Sequence, residues 1–156
     1  MRTLRTRLVV SAASAAVLVT SLPVPAHAGD ASPGSVRAAY DGWVRVLEDA
    51  ECDGTAVARR YTSDAILLAT FTSYVQGRRA ITGYFDGLTC KEDLRVSTQR
   101  ITVAREGAMA YATGLYAFSY TSDDGQRVRV PARFTFVFVA RNGSWRIANH
   151  HSSQVP

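Results

Sequence analysis

Hydrophobic positions in this chain change period partway along it. Val36, Ala39, Tyr40, Trp43, Val44 and Leu47 recur three and four residues apart. That stripe predicts an amphipathic helix with Pro33 and Gly34 at its start and Ser35 as its N-cap. A short second helix is predicted over TAVARRY, with Thr55 as cap. A third is predicted over RRAITGYFDGL, where Ile81, Tyr84, Phe85 and Leu88 share a face. Two small strands, AILLAT and SYVQG, lie between them. Beyond Cys90 the period becomes two. LRVSTQRITVAR, AMAYATGLYAFSYTS, QRVRVPARFTFVFVA and SWRIANHHSS alternate and are rich in β-branched and aromatic residues. REG, SDDG and RNG supply the turns between them. The order predicts an α+β fold, with about three N-terminal helices packed on a strongly curved, mostly antiparallel sheet. Such a sheet wraps into a cone, which either fills with side chains or holds a ligand.

The first 28 residues do not share this patterning. Arg2, Arg5 and Arg7 precede an apolar run from Leu8 to Leu22 that is short for a membrane span. AHA before Gly29 has the small-x-small form of a secretory cleavage site. Residues 1–28 read as a secretory signal peptide, with an uncleaved anchor as the alternative. Residues 29–156 read as a single domain of a secreted, extracytoplasmic protein. Loss of the three arginines lowers the formal net charge from +5 to +2. The remaining arginines are scattered, which argues against nucleic acid as a partner. No second apolar run suggests a membrane segment after cleavage. Cys52 and Cys90 each follow a predicted helix, and in an exported chain the pair predicts a disulfide, with two buried thiols as the alternative. No CxxC and no histidine at ligand spacing accompany them, so no metal is expected.

The ending GSWRIANHHSSQVP, together with YTSDAILLATFTSYVQGRRAITGYF and ARFTFVF, resembles the nuclear-transport-factor-2-like (NTF2-like, SnoaL-like) superfamily of cone-shaped α+β domains. It is most similar to the branch holding the association domain of calcium/calmodulin-dependent protein kinase II and its small bacterial relatives. The resemblance spans about residues 35–156. Some relatives accompany polyketide and enediyne pathways, and others are cyclases, isomerases or dehydratases on the same cone. In the kinase branch the position matching Ser152 is an arginine that reaches the pocket. The serine here weakens anion binding at that point. No glycine-rich fingerprint, metal triad or flavin signature is present, and no cofactor is expected.

Candidate chemistry gathers at the last strand. Alternation places Trp145, Ile147, Asn149 and His151 on one face, and Arg146, Ala148, His150 and Ser152 on the other. The bulky Trp145 and Ile147 claim the packed face. His150 is therefore expected to border an open cavity with Tyr61 and Arg133, and His151 to pack. A β-bulge would reverse this. His150 and Asp64 are the catalytic candidates for acid–base chemistry. Tyr40, Tyr61, Arg133, His151 and Ser152 are the ligand-binding candidates. Structural hydrogen bonds are the alternative for both histidines, a turn acceptor for Asp64, and a solvated surface role for Arg133. Tyr74, Tyr84, Tyr111 and Tyr116 join Tyr40, Trp43 and Tyr61 as expected interior aromatics. The leading functional expectation is binding of a small hydrophobic or aromatic molecule in natural-product biosynthesis or handling. The alternatives are a cofactor-independent isomerase, cyclase or hydratase, and an assembly module. The apolar FTFVFV run, which three short helices cannot cover on both faces, predicts a homodimer or higher oligomer.

Overall fold

Helical periodicity and alternation each become the expected element in the computed structural model, which describes residues 33–72 and 74–156. The leader expected over residues 1–28 lies outside them. The described residues form helices α1 (Pro33–Glu48), α2 (Gly54–Ala58) and α3 (Arg78–Thr89). Their strands are β1 (Tyr61–Leu68), β2 (Val75–Gln76), β3 (Glu92–Glu106), β4 (Met109–Thr121), β5 (Arg127–Arg141) and β6 (Ser144–Gln154). All six strands join one curved open sheet in the order β2-β1-β6-β5-β4-β3. β3 to β6 form an antiparallel meander, β1 runs parallel to β6, and β2 pairs antiparallel with β1. The α+β expectation holds.

Three local boundaries differ from expectation. α1 starts at Pro33, where a proline's missing N–H costs nothing, so Ser35 lies inside the first turn. Asp53, rather than Thr55, caps α2; its carboxylate accepts the Thr55 amide at 2.9 Å. Tyr61 opens β1 instead of ending a helix.

The concave face carries the core. Phe134, Phe136 and Phe138 of β5 point inward beside Tyr116 and Phe118 of β4, and all are buried. α1 contributes Tyr40, Trp43 and Leu47, and α3 contributes Ile81, Phe85 and Leu88. Trp43 meets Phe136 edge-on at 4.9 Å, and Tyr40 stacks on Phe134 at 5.1 Å. Each such side chain contributes about 1.5–3 kcal/mol on leaving water. The inner part of the cone is thus filled by aromatics.

Two of the sheet's irregularities lie mid-strand, in β3 and β6. Gln99 is inserted in β3 between the pairs Thr98↔Tyr116 and Arg100↔Leu115. Opposite it, a Cβ on Gly114 would overlap the Arg100 carbonyl, so only glycine allows the strands this approach. Ala148 is the extra residue in β6, between Ile147↔Phe138 and Asn149↔Val137. This second bulge overturns the expected faces of the terminal strand. His150 and Ser152 join Trp145 and Ile147 on the buried side, and His151 turns outward.

β3 lies at one margin of the sheet, and α1 packs on it. The Val96 amide there donates to the Glu48 carboxylate of α1 at 2.7 Å. α2 is fastened to α3. The Gly54 amide donates to Asp86 Oδ1 at 2.8 Å, and a Cβ on Gly54 would meet the α3 backbone at Thr82 and Asp86. The expected Cys52–Cys90 disulfide is present, its Cα atoms 4.4 Å apart.

Candidate functional site

A chain of hydrogen bonds crosses the filled interior. Trp43 Nε1 donates to the Tyr61 hydroxyl at 3.1 Å. Because that oxygen accepts from the indole, its own proton is free to go to His150 Nδ1, 2.9 Å away. This assigns the tautomer protonated on Nε2, which faces the Tyr116 hydroxyl at 3.4 Å. Tyr116 donates to Ser152 Oγ at 2.6 Å, and Ser152 bonds to Thr70 Oγ1. The donors run in one direction from Trp43 to Ser152, and the chain ends at Thr70, just past β1. His150 is 2% exposed and stacks on Phe136 with centroids 3.8 Å apart. Burial, with the neighbouring His151 as a smaller cause, pulls its pKa down to about 3. The ring is neutral near pH 7. Burial likewise raises the Tyr61 and Tyr116 hydroxyls far above the ordinary tyrosine value.

The opening of the cone lies beyond Thr70. A cavity of about 290 Å³ is lined by Phe71, Tyr84, Gly87, Leu88, Lys91 and Tyr120. Phe71 contacts Phe118 at 5.8 Å, and Phe118 contacts Tyr116 at 4.8 Å, so one wall of this pocket continues into the inner chain. Burial raises the Tyr84 hydroxyl above its usual range, against a hydrogen bond with the Phe71 backbone. Lys91 Nζ lies 5.5 Å from the Tyr120 ring centroid, a cation over an aromatic face. Sequence alternation cannot find this pocket because its residues stand at the ends of α3, β1 and β4. Tyr84 and Leu88 left a signal in the stripe of the third helix, and Lys91 is the only lysine in the chain, against seventeen arginines.

The sequence candidates fall into two groups. Tyr61, His150 and Ser152 meet in the inner chain, and Tyr40 lies nearby with its hydroxyl 2.8 Å from Thr98 Oγ1. Burial raises the Tyr40 pKa to about 12. Asp64, Arg133 and His151 are exposed. Asp64 is on the solvent side of β1, where a hydrogen bond from Thr62 holds its carboxyl below the usual range. Arg133 is on the convex face, its Nε donating to Ser153 Oγ at 2.9 Å, and it shares a shallow depression with Arg100, Leu115 and His151. Neither Asp64 nor Arg133 joins His150. Tyr74 and Tyr111 are also exposed rather than interior. Among the described residues no three His, Cys, Asp or Glu side chains converge in a metal-binding arrangement.

Residues 36–156 match the family model of the SnoaL-like domain. Among solved structures, the chain is similar to a Xanthomonas campestris protein provisionally named a calcium/calmodulin dependent protein kinase II association domain. Identity is 32%, the TM-score is 0.74, and the match covers 81% of this chain and 90% of that one. A provisionally named dehydratase of the NTF2-like family from Streptomyces avermitilis is 17% identical, with a TM-score of 0.70 over 78% of this chain and 95% of that one. A ketosteroid isomerase-like protein from Erwinia carotovora atroseptica is 16% identical, with a TM-score of 0.65 over 79% and 95%. These last two share the fold alone. No curated protein matches the sequence. A family match over residues 36–156 and a cone of three helices on a bent six-stranded sheet make this chain a member of the SnoaL-like domain family, within the NTF2-like superfamily.

Proposed function

We propose that the chain is an exported small-molecule-binding protein that takes a planar, mainly apolar ligand in the pocket at the cone's opening. The observation that carries this reading is the pocket's lining: Phe71, Tyr84, Leu88 and Tyr120 around about 290 Å³, with Lys91 at hand. That volume is close to the lower limit for small-molecule sites, about 300 Å³, and fits a fused bicyclic ring. Aromatic walls favour stacking, and the lysine favours a ligand bearing a carboxylate or phenolate. The family resemblance supports a context in natural-product biosynthesis or handling. The enzymatic alternative needs a base that can reach a substrate. His150 counts against it, because both ring nitrogens face tyrosine hydroxyls and the ring is buried. The assembly alternative needs a wholly filled cone, and only the inner part is filled.

The test is titration with 2-naphthoate and with neutral 2-naphthalenemethanol, followed by protein NMR. Both should bind saturably, with shifts at Leu88 and Tyr120. Lys91→Met should weaken the carboxylate several-fold and leave the alcohol unchanged. Leu88→Arg should abolish both. Absence of saturable binding, or shifts confined to the convex face, would sink the reading.

We propose also that two copies associate through the convex face. Met109, Tyr111 and Leu115 are exposed there, and Val137 and Val139 of β5 face the same way.

A further inference from the structure

A second cleft shares no residue with the aromatic pocket. It is an open cleft of about 560 Å³, lined by Val46, Ala56, Arg59, Arg60, Arg78 and Arg146. Four of its six lining residues are arginines and none is acidic. None of the four takes part in an ion pair within the described residues. This concentration stands out in a chain whose net charge past residue 28 is +2.

Two of the guanidinium groups are held, and by neutral partners. Arg78 donates from Nη1 to the Ala58 carbonyl at 3.0 Å and from Nη2 to the Tyr61 carbonyl at 3.2 Å. Arg146 donates from Nη1 to the Arg59 carbonyl at 2.9 Å. The Arg60 guanidinium lies along α1 at Gly42, 3.5 Å from where a Cβ would stand, which is ordinary packing distance. Arg59 follows α2 and is exposed, without a hydrogen-bond partner for its side chain among the described residues. Backbone carbonyls orient Arg78 and Arg146 without cancelling their charge. Two arginines keep unused donors after bracing the end of α2, and the other two keep all of theirs. Uncompensated guanidinium forks suit bidentate contact with oxyanions.

We propose that this cleft binds a soluble diphosphate-bearing molecule. The cleft is too large for a single phosphate, and four positive charges suit a group carrying about three negative ones. Terminal phosphate oxygens would take the free forks of Arg59 and Arg60, and the bridge would sit against Arg78 and Arg146. Val46 and Ala56 leave an apolar shoulder for the organic part of an ester.

The test is calorimetric titration of the whole chain with inorganic diphosphate, inorganic phosphate and poly-glutamate at constant ionic strength. Diphosphate should bind saturably and at least about tenfold more tightly than phosphate, with affinity falling as salt rises. The Arg59→Gln/Arg60→Gln double variant leaves the braces at Arg78 and Arg146 intact, which keeps folding out of the comparison. It should lose about tenfold or more in diphosphate affinity while retaining the wild-type melting temperature without ligand. Equal diphosphate affinity in the variant would overturn the proposal. So would the absence of saturable binding into the millimolar range. Tighter binding of poly-glutamate than of diphosphate would overturn it too, since the cleft would then read negative charge rather than phosphate geometry.

Discussion

His150 has both ring nitrogens engaged by tyrosine hydroxyls and a phenyl ring stacked on one face. Its role follows from that enclosure: it connects Tyr61 to Tyr116 inside an otherwise apolar cone. The native state holds it neutral with a pKa of about 3, whereas the unfolded chain protonates it near its ordinary value of about 6.5. Between those values the unfolded state binds the extra proton, so acid favours unfolding. The stabilisation is fully present above about pH 6.5 and is lost as pH falls toward 3. From pH 7.5 to pH 5 this one side chain should lower stability by about 2 kcal/mol. Urea denaturation at the two pH values checks this against His150→Phe, which should be less stable throughout but should lack that portion of the pH dependence. In the wild type, the His150 Cε1 proton should show no titration by NMR down to about pH 4. An ordinary histidine titration there would mean that the ring is wetter than the packing shows.

At the scale of elements, the disulfide joins the loop after α1 to the end of α3, immediately before Lys91. It closes 38 residues of separation, for which the chain-entropy relation gives about 4 kcal/mol. The Cys52→Ser/Cys90→Ser variant should lose an amount of that order in chemical denaturation. It should also bind 2-naphthoate more weakly, because Gly87, Leu88 and Lys91 belong to the segment the bridge holds. A stability loss without a binding loss would separate the bridge from the pocket. The elements themselves were legible in the sequence, since periods of 3.6 and 2 leave strong traces in runs of ten or more residues. The bulge at Ala148 was not. Ala148 and Asn149 carry no local mark of an inserted residue, which is defined only against Val137 and Phe138 of the neighbouring strand. Strict alternation from Trp145 therefore put His151 inside and His150 opposite Ile147, whereas His150 shares the buried face with both Trp145 and Ile147. Arg133 alternates regularly with the buried Phe134 and is outward, and Asp64 is exposed on β1. The helical stripe showed Tyr84 and Leu88, but the aromatic pocket was illegible because Phe71, Lys91 and Tyr120 join them from outside any shared period.

For the whole molecule, the proposed pairing through the convex face predicts a dimer in sedimentation at micromolar concentration. A Leu115→Arg/Tyr111→Arg variant should sediment as a monomer with its aromatic-ligand affinity unchanged, since the pocket opens elsewhere. A wild-type monomer at that concentration would contradict the pairing. The long β3 margin has a further consequence. Fifteen residues of strand at a sheet's border are a template on which another chain can add itself, the first step toward fibrils. Here the extra Gln99 breaks the straight run of backbone groups, Glu48 already occupies the Val96 amide, and Arg95, Arg100 and Arg105 place charge along the strand. The kink that shapes the cone therefore also guards the chain against its own neighbours, and a β3 stripped of its charges would keep the bend while losing part of that guard.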